Sequence, residues 1–154
     1  MKFAYILQTV RDVPLGYRFQ LYNYGPYDEA VLTDIRQAVS SELLSSKLVT
    51  LSGGGYGYEF SIGNTFETAG DELSEQTCPF EDDIDWVVDQ FGGESAGRME
   101  LISTIIFVLC ENGTRLEKPK IVQRVNEIKP HFSREVIDAA VDEISEVLDC
   151  VSCE

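Results

Sequence analysis

A chain of 154 residues, 44% of them hydrophobic, is long enough for a compact domain with a real core and too short for two large ones. Twenty-seven acidic against twelve basic residues give a formal charge of −15, which repels phosphate backbones unless the cations are gathered on one surface. The longest apolar run, Leu101 to Cys110, contains Ser103 and Thr104 and falls well short of the ~20 residues that a membrane span requires.

Phe3, Ile6, Leu7 and Val10 have helical spacing, which predicts a first helix over about residues 2–12. Gln8, Arg11 and Asp12 interrupt any signal-peptide core, so a cytoplasmic protein without a membrane segment is expected. Met1 precedes the helical pattern without a capping residue, which leaves an upstream start open. Val13-Pro14-Leu15-Gly16 then breaks the helix. In the aromatic stretch that follows, Tyr17, Phe19 and Leu21 alternate with Arg18, Gln20 and Tyr22, as in a strand with one face on a core. Gly25-Pro26 is expected to open the next helix, because the fixed φ of proline suits a first turn and Asp28 and Glu29 complement the macrodipole there. That helix, roughly Pro26 to Leu44, carries Val31, Ile35, Ala38, Val39 and Leu43 along one side.

Residues 47–51 and 58–62 read as the strands of a β-hairpin with a tip at Ser52-Gly53-Gly54-Gly55-Tyr56-Gly57. The glycines do not make a phosphate loop: they lack G-K-[ST], the third glycine of G-x-G-x-x-G would fall at Tyr58, and a strand rather than a helix follows. A short helix around Phe66 to Glu75 precedes a break at Thr77-Cys78-Pro79. The next helix, Glu81 to Phe91, has Ile84, Val87, Val88 and Phe91 as its buried stripe, with Trp86 off the centre. Glu94 to Glu111 is apolar almost all round, the mark of a central buried helix, and Asn112-Gly113 ends it. Two further helices, Lys118 to Ile128 and Ser133 to Leu148, are joined by Lys129-Pro130-His131-Phe132, with Ser133 as N-cap.

Charge is polarised along the chain. Residues 67–94 hold ten acids and no Lys or Arg, while six of the twelve cations lie between Arg115 and Arg134. A helix pair plus a wing suggests DNA binding through Lys118, Lys120 and Arg124. The presumed recognition helix argues against it. With Val136, Ile137, Ala140, Val141, Ile144, Val147 and Leu148 turned inward, it would face DNA with Arg134 against Glu135, Asp138, Asp142, Glu143 and Glu146. The acidic run around Asp82, Asp83 and Asp85 lacks a calcium-loop pattern and reads as a solvated helix start. His131, the lone histidine, has no nucleophile or acid motif to work with and reads as a solvent-facing turn residue. Of Cys78, Cys110, Cys150 and Cys153, free thiols are the default. Cys110 is expected to be a buried hydrophobe, and the Cys150-x-x-Cys153 spacing lacks the second pair of a zinc site. No cofactor or metal is expected.

Helix, aromatic strand, helix and glycine-tipped hairpin is the order of a winged-helix-like core. The expected fold is therefore mostly helical α+β in a single domain, with a winged-helix-like part over 1–64 and a helical part over 65–154. The segments Lys2-Phe3-Ala4-Tyr5-Ile6-Leu7-Gln8, Pro14-Leu15-Gly16-Tyr17-Arg18-Phe19 and Tyr24-Gly25-Pro26-Tyr27 resemble prokaryotic proteins of the YwgA-like type over most of the chain. Over about the first thirty residues they are similar, more distantly, to the Panacea domains of SocA-like antitoxins. The resemblance implies a fold and, by analogy, a protein that binds another protein; it transfers no catalytic residue.

The leading expectation is a non-enzymatic cytoplasmic interaction or regulatory protein, antitoxin- or adaptor-like, acting through a protein partner, with homodimerisation left open. Trp86 reads first as packing at the core boundary; the functional reading makes it an aromatic anchor amid Asp82, Asp83, Asp85 and Asp89, the proposed contact for a partner. The alternatives are a winged-helix transcriptional regulator using the basic 115–134 segment, and an enzyme with a dispersed site. Specific binding of nucleic acid is not expected.

Overall fold

Gly25 and Pro26 close a hairpin instead of opening a helix. In the computed structural model, which describes residues 1–50, 54–111 and 116–151, strand β1 (Gln20–Tyr22) pairs antiparallel with β2 (Gly25–Tyr27) around a turn at Asn23-Tyr24. Pro26 sits in β2 opposite Leu21. The φ that suits a helix start also suits an edge strand, where the missing N–H is not needed. Gly25 has φ +90°, which L side chains rarely adopt, and a Cβ there would lie 3.0 Å from Ser103 Oγ and 3.1 Å from Lys2 Nζ, so a larger residue would be strained and would push those side chains aside.

The first helix, α1 (Lys2–Val10), holds the start of the aromatic stretch by a side-chain bridge. The Gln8 amide donates to Tyr17 O at 2.9 Å while Tyr17 N–H donates to Gln8 Oε1 at 2.9 Å. The expected alternation is present: Tyr17, Phe19 and Leu21 are partly covered and Arg18, Gln20 and Tyr22 exposed.

Helix α2 (Glu29–Ser40) is shorter at both ends than its apolar pattern suggests. Asp28 is engaged with the Arg18 N–H at 2.5 Å, and at the other end Glu42 turns the chain with φ 58°. Strands β3 (Leu44–Thr50) and β4 (Tyr56–Ile62) form the expected hairpin, in register from Leu44↔Ile62 to Thr50↔Tyr56. Of its expected tip, Ser52 and Gly53 lie outside the described residues, whereas Tyr56 and Gly57 belong to β4. The two hairpins make two separate two-stranded sheets, so the winged-helix reading of residues 1–64 rests on element order alone.

Helix α3 (Phe66–Thr77) runs into a 3-10 turn at Cys78–Phe80 and then α4 (Glu81–Phe91). Three more helices follow: α5 (Ala96–Glu111), α6 (Lys118–Ile128) and α7 (Arg134–Val151). The fold is thus mostly helical α+β. No helix among the described residues is long and apolar enough to cross a membrane.

The chain divides into two compact units, and the division does not fall at residue 64. One unit joins residues 1–28 to residues 83–154; the other is the continuous stretch 29–82. In the first unit α5 is the central element, packed by α1, β2, α6 and α7. Leu101 to Ile106 are all buried, as the all-round apolar pattern of α5 requires. Tyr5 and Ile6 of α1, Val87 and Phe91 of α4, Ile121 and Val125 of α6, and Ile137, Ala140, Val141 and Ile144 of α7 complete this core. Four apolar expectations fail, the first at Phe3 of α1, which is 38% exposed. Val88 is 50% and Val136 47% exposed, because each lies beyond the edge of its helix's covered stripe. Cys110, at the end of α5, is also exposed. In the second unit Val31 is the one fully buried apolar side chain among the described residues.

Candidate functional site

Antiparallel pairing puts directly opposed residues on the same side of a two-stranded sheet. The register of β3 and β4 therefore gathers Leu44, Leu48, Tyr56, Tyr58, Phe60 and Ile62 on one face, with Lys47, Val49, Glu59 and Ser61 on the other. On the apolar face Tyr58 and Phe60 stack with ring centroids 6.4 Å apart. That face is not covered: Leu48, Tyr56, Tyr58, Phe60 and Ile62 are all exposed, Tyr56 at 76%.

Leu32, Ile35, Arg36 and Val39 lie on one side of α2 at the spacing of successive turns. With Ser46, Tyr58 and Phe60 they line a groove of about 630 Å³. Arg36 is its one charged residue, and it has no ion-pair partner among the described residues. Gly63 fixes the base of the hairpin. Its N–H donates to Leu43 O at 2.9 Å, and a Cβ would come within 1.9 Å of Glu42 O, so only glycine fits. Sequence reading located the hairpin but not this face, because one-sidedness depends on register, and register depends on where the tip begins and ends.

Trp86 packs at the core boundary, the first of its two expected readings, and not as an anchor requires. The ring meets Phe91 edge-to-face at 5.8 Å and carries the Arg11 guanidinium over it at 5.1 Å, so its apolar surface is engaged at the margin of the core. Arg11 Nε also pairs with Asp83 Oδ1 at 2.7 Å, which takes one carboxylate out of the expected acidic surface. Asp82, Asp85 and Asp89 remain exposed on α4. Trp86→Ala is expected to lower unfolding free energy by about 2 kcal/mol, short of the ~3–5 of a fully enclosed ring. Urea denaturation reads this directly, and an unchanged midpoint would restore Trp86 as a free surface anchor.

The cations of residues 115–134 are largely matched by neighbouring acids. Lys118 Nζ lies 2.7 Å from Asp138 and 2.8 Å from Asp142 of α7, and those hydrogen bonds hold its ammonium above the ordinary lysine range. Lys120 is 3.6 Å from Glu117, and Arg124 is 3.6 Å from Glu127. Lys120 and Arg124 share a hollow of about 560 Å³ with Glu111, Leu116, Gln123 and Glu127, a surface of both signs. Arg115 lies outside the described residues. At the start of α7 Ser133 acts as expected, its Oγ accepting the Val136 N–H at 3.3 Å.

Lys129 leaves the basic segment altogether. Its side chain is 2% exposed, with Nζ 2.7 Å from Glu100 Oε1 and donating to Asn23 O in the β1–β2 turn. Lys2 donates to Pro26 O of the same hairpin at 2.8 Å, and its pKa is pulled down to about 8 by burial first and by the Lys129 charge second. Two ammonium groups thus tie the hairpin's carbonyls to the helical core, with Glu100 beneath them. His131 is exposed, as expected of a turn residue, with Nε2 3.6 Å from Glu100 Oε1. Sequence gave no signal for this cluster beyond the placement of Lys129 just after a strongly patterned helix.

Among the described residues no three His, Cys, Asp or Glu side chains gather as a metal site. Cys78 and Cys110 are free and exposed, Cys153 lies outside the described residues, and α7 runs past Cys150. No family model, curated protein or solved structure matches the chain.

Proposed function

We propose that the protein is a non-enzymatic interaction module that binds another protein through the apolar face of β3–β4 and the adjoining groove on α2. The observation that carries this reading is the set of five large apolar side chains left open on one sheet face, in a unit that fully buries only Val31 among its described apolar residues. A contiguous exposed apolar face marks a binding surface. Aromatic residues that become enclosed are the usual energetic centres of interfaces, each worth about 2 kcal/mol or more. The resemblance of the N-terminal motifs to YwgA-like proteins and, distantly, to SocA-like antitoxins supports the same class of role by analogy, in the cytoplasm. This surface replaces Trp86 and its carboxylates as the partner-binding site of the proposal. Nucleic acid is a poorer ligand, because Lys118, Lys120 and Arg124 each lie beside an acid and the net charge is strongly negative.

The test is site-specific photocrosslinking in cells that make the protein. A photoreactive residue at Tyr58 is expected to trap a discrete protein, and Phe60→Ser is expected to abolish the adduct while circular dichroism stays that of the wild type. Adducts from Asp85 but none from Tyr58 would move the site back to α4 and overturn this assignment.

A further inference from the structure

Resting on that reading, the charge pattern around the groove points to the chemistry of its occupant: we infer that the partner presents a net-cationic amphipathic segment, with one carboxylate placed to meet Arg36. Three observations lead there. Residues 29–82 contain ten acids and only two bases, Arg36 and Lys47, so the unit as a whole carries a strongly negative net charge that attracts cations. Lys47 lies on the opposite face of the hairpin from Tyr58 and Phe60, directly across from Glu59, so those two offset each other and the remaining nine acids stand against Arg36 alone. The groove itself is lined by Leu32, Ile35, Val39, Tyr58 and Phe60, surfaces that take the apolar side of a helix or strand and not a polar chain.

Arg36 is the exception within the groove. Its guanidinium has no acidic partner among the described residues, although acids outnumber bases five to one in this unit. Docking an apolar segment over it would remove water from the guanidinium without replacing its hydrogen bonds, which is costly unless the segment supplies an acceptor. A carboxylate accepts from the planar fork at two points and is the matching group. The surrounding acids then govern encounter and salt dependence, and Arg36 governs register.

Two other occupants are disfavoured on the same grounds. A second copy would bring one acidic unit against another. Single-stranded nucleic acid would find stacking rings but no phosphate contacts beyond Arg36.

The probes are synthetic amphipathic peptides of about 18 residues, apolar at helical spacing and otherwise Lys-rich, with either Glu or Lys at one position of the apolar side; a Glu-rich counterpart keeps the apolar positions. Fluorescence anisotropy with the full chain is expected to show the Lys-rich, Glu-bearing peptide binding about ten-fold or more tightly than the Glu-rich one, and weakening between about 50 and 500 mM salt. Arg36→Glu is expected to lower affinity for the Glu-bearing peptide and to raise it for the Lys-bearing one. Equal or tighter binding of the Glu-rich peptide, or indifference to Arg36→Glu, would overturn the inference. So would a concentration-dependent dimer in sedimentation that Phe60→Ser dissolves, since the occupant would then be a second copy. Failure of the peptides with a persisting Tyr58 adduct in cells would refute the cationic chemistry alone, whereas loss of both would refute the surface.

Discussion

Lys129→Met is expected to lower unfolding free energy by about 3–5 kcal/mol, the range for removing one member of a buried ion pair. The lysine side chain is 2% and its partner Glu100 13% exposed, so neither group has much water to fall back on. Without the ammonium, the Glu100 side chain has only the half-covered Lys2 and the exposed His131 nearby, and Asn23 O loses its donor. Methionine matches the stem of lysine, which makes the loss one of charge and hydrogen bonding more than of volume. Glu100→Gln is expected to be similarly harmful, because it leaves the Lys129 charge buried. The double variant should regain at least half of the summed loss, as partners in contact couple. Urea midpoints of the four proteins give the cycle; single variants within about 1 kcal/mol of wild type would mean that the pair is solvated in solution.

Ile105→Ala is expected to cost a further class of stability, about 3–4 kcal/mol, through the cavity it leaves in α5. Ile105 is fully buried on a helix surrounded by α1, β2, α6 and α7, so collapse from one side is opposed by packing on the others. Val88→Ala supplies the contrast. Sequence pattern places Val88 in the same kind of stripe, yet half its surface is in water, and the expected change is under about 1 kcal/mol. Equal effects of the two substitutions would show that the core is not organised around α5.

The comparison of Ile105 with Val88 shows what was legible in the sequence and what was not. Periodicity identifies a helix and the direction of its apolar moment, and it placed α4 at Glu81–Phe91 and α6 at Lys118–Ile128 as observed. It does not give the width of the covered stripe, which depends on the neighbours a helix receives, and Val88 and Val136 lie outside it. Pro26 was ambiguous for a different reason: one backbone conformation serves both a helix start and an edge strand, and the positive φ of Gly25 beside it belongs to the hairpin. The buried Lys129–Glu100 pair spans 29 positions of sequence, and each residue alone reads as surface. Of the candidate site, the hairpin was legible and its open face was not, since Tyr58 and Phe60 are also the residues an ordinary strand would bury.

The division of the chain constrains the order in which it can mature on the ribosome. Residues 29–82 form one uninterrupted stretch, and β3 meets β4 and α2 within about fifty residues of synthesis. The unit built on α5 is different: α1 and the β1–β2 hairpin are made first, yet the helix against which they pack begins at Ala96. Tyr5 can meet Phe19 and Lys2 can reach Pro26 O once the hairpin is made, but the packing of α1 on α5 must wait while the whole inserted unit is translated. The intervening stretch thus acts as a translational delay between the first helix and the one it packs against, and it sets the length of the loop that their contact has to close.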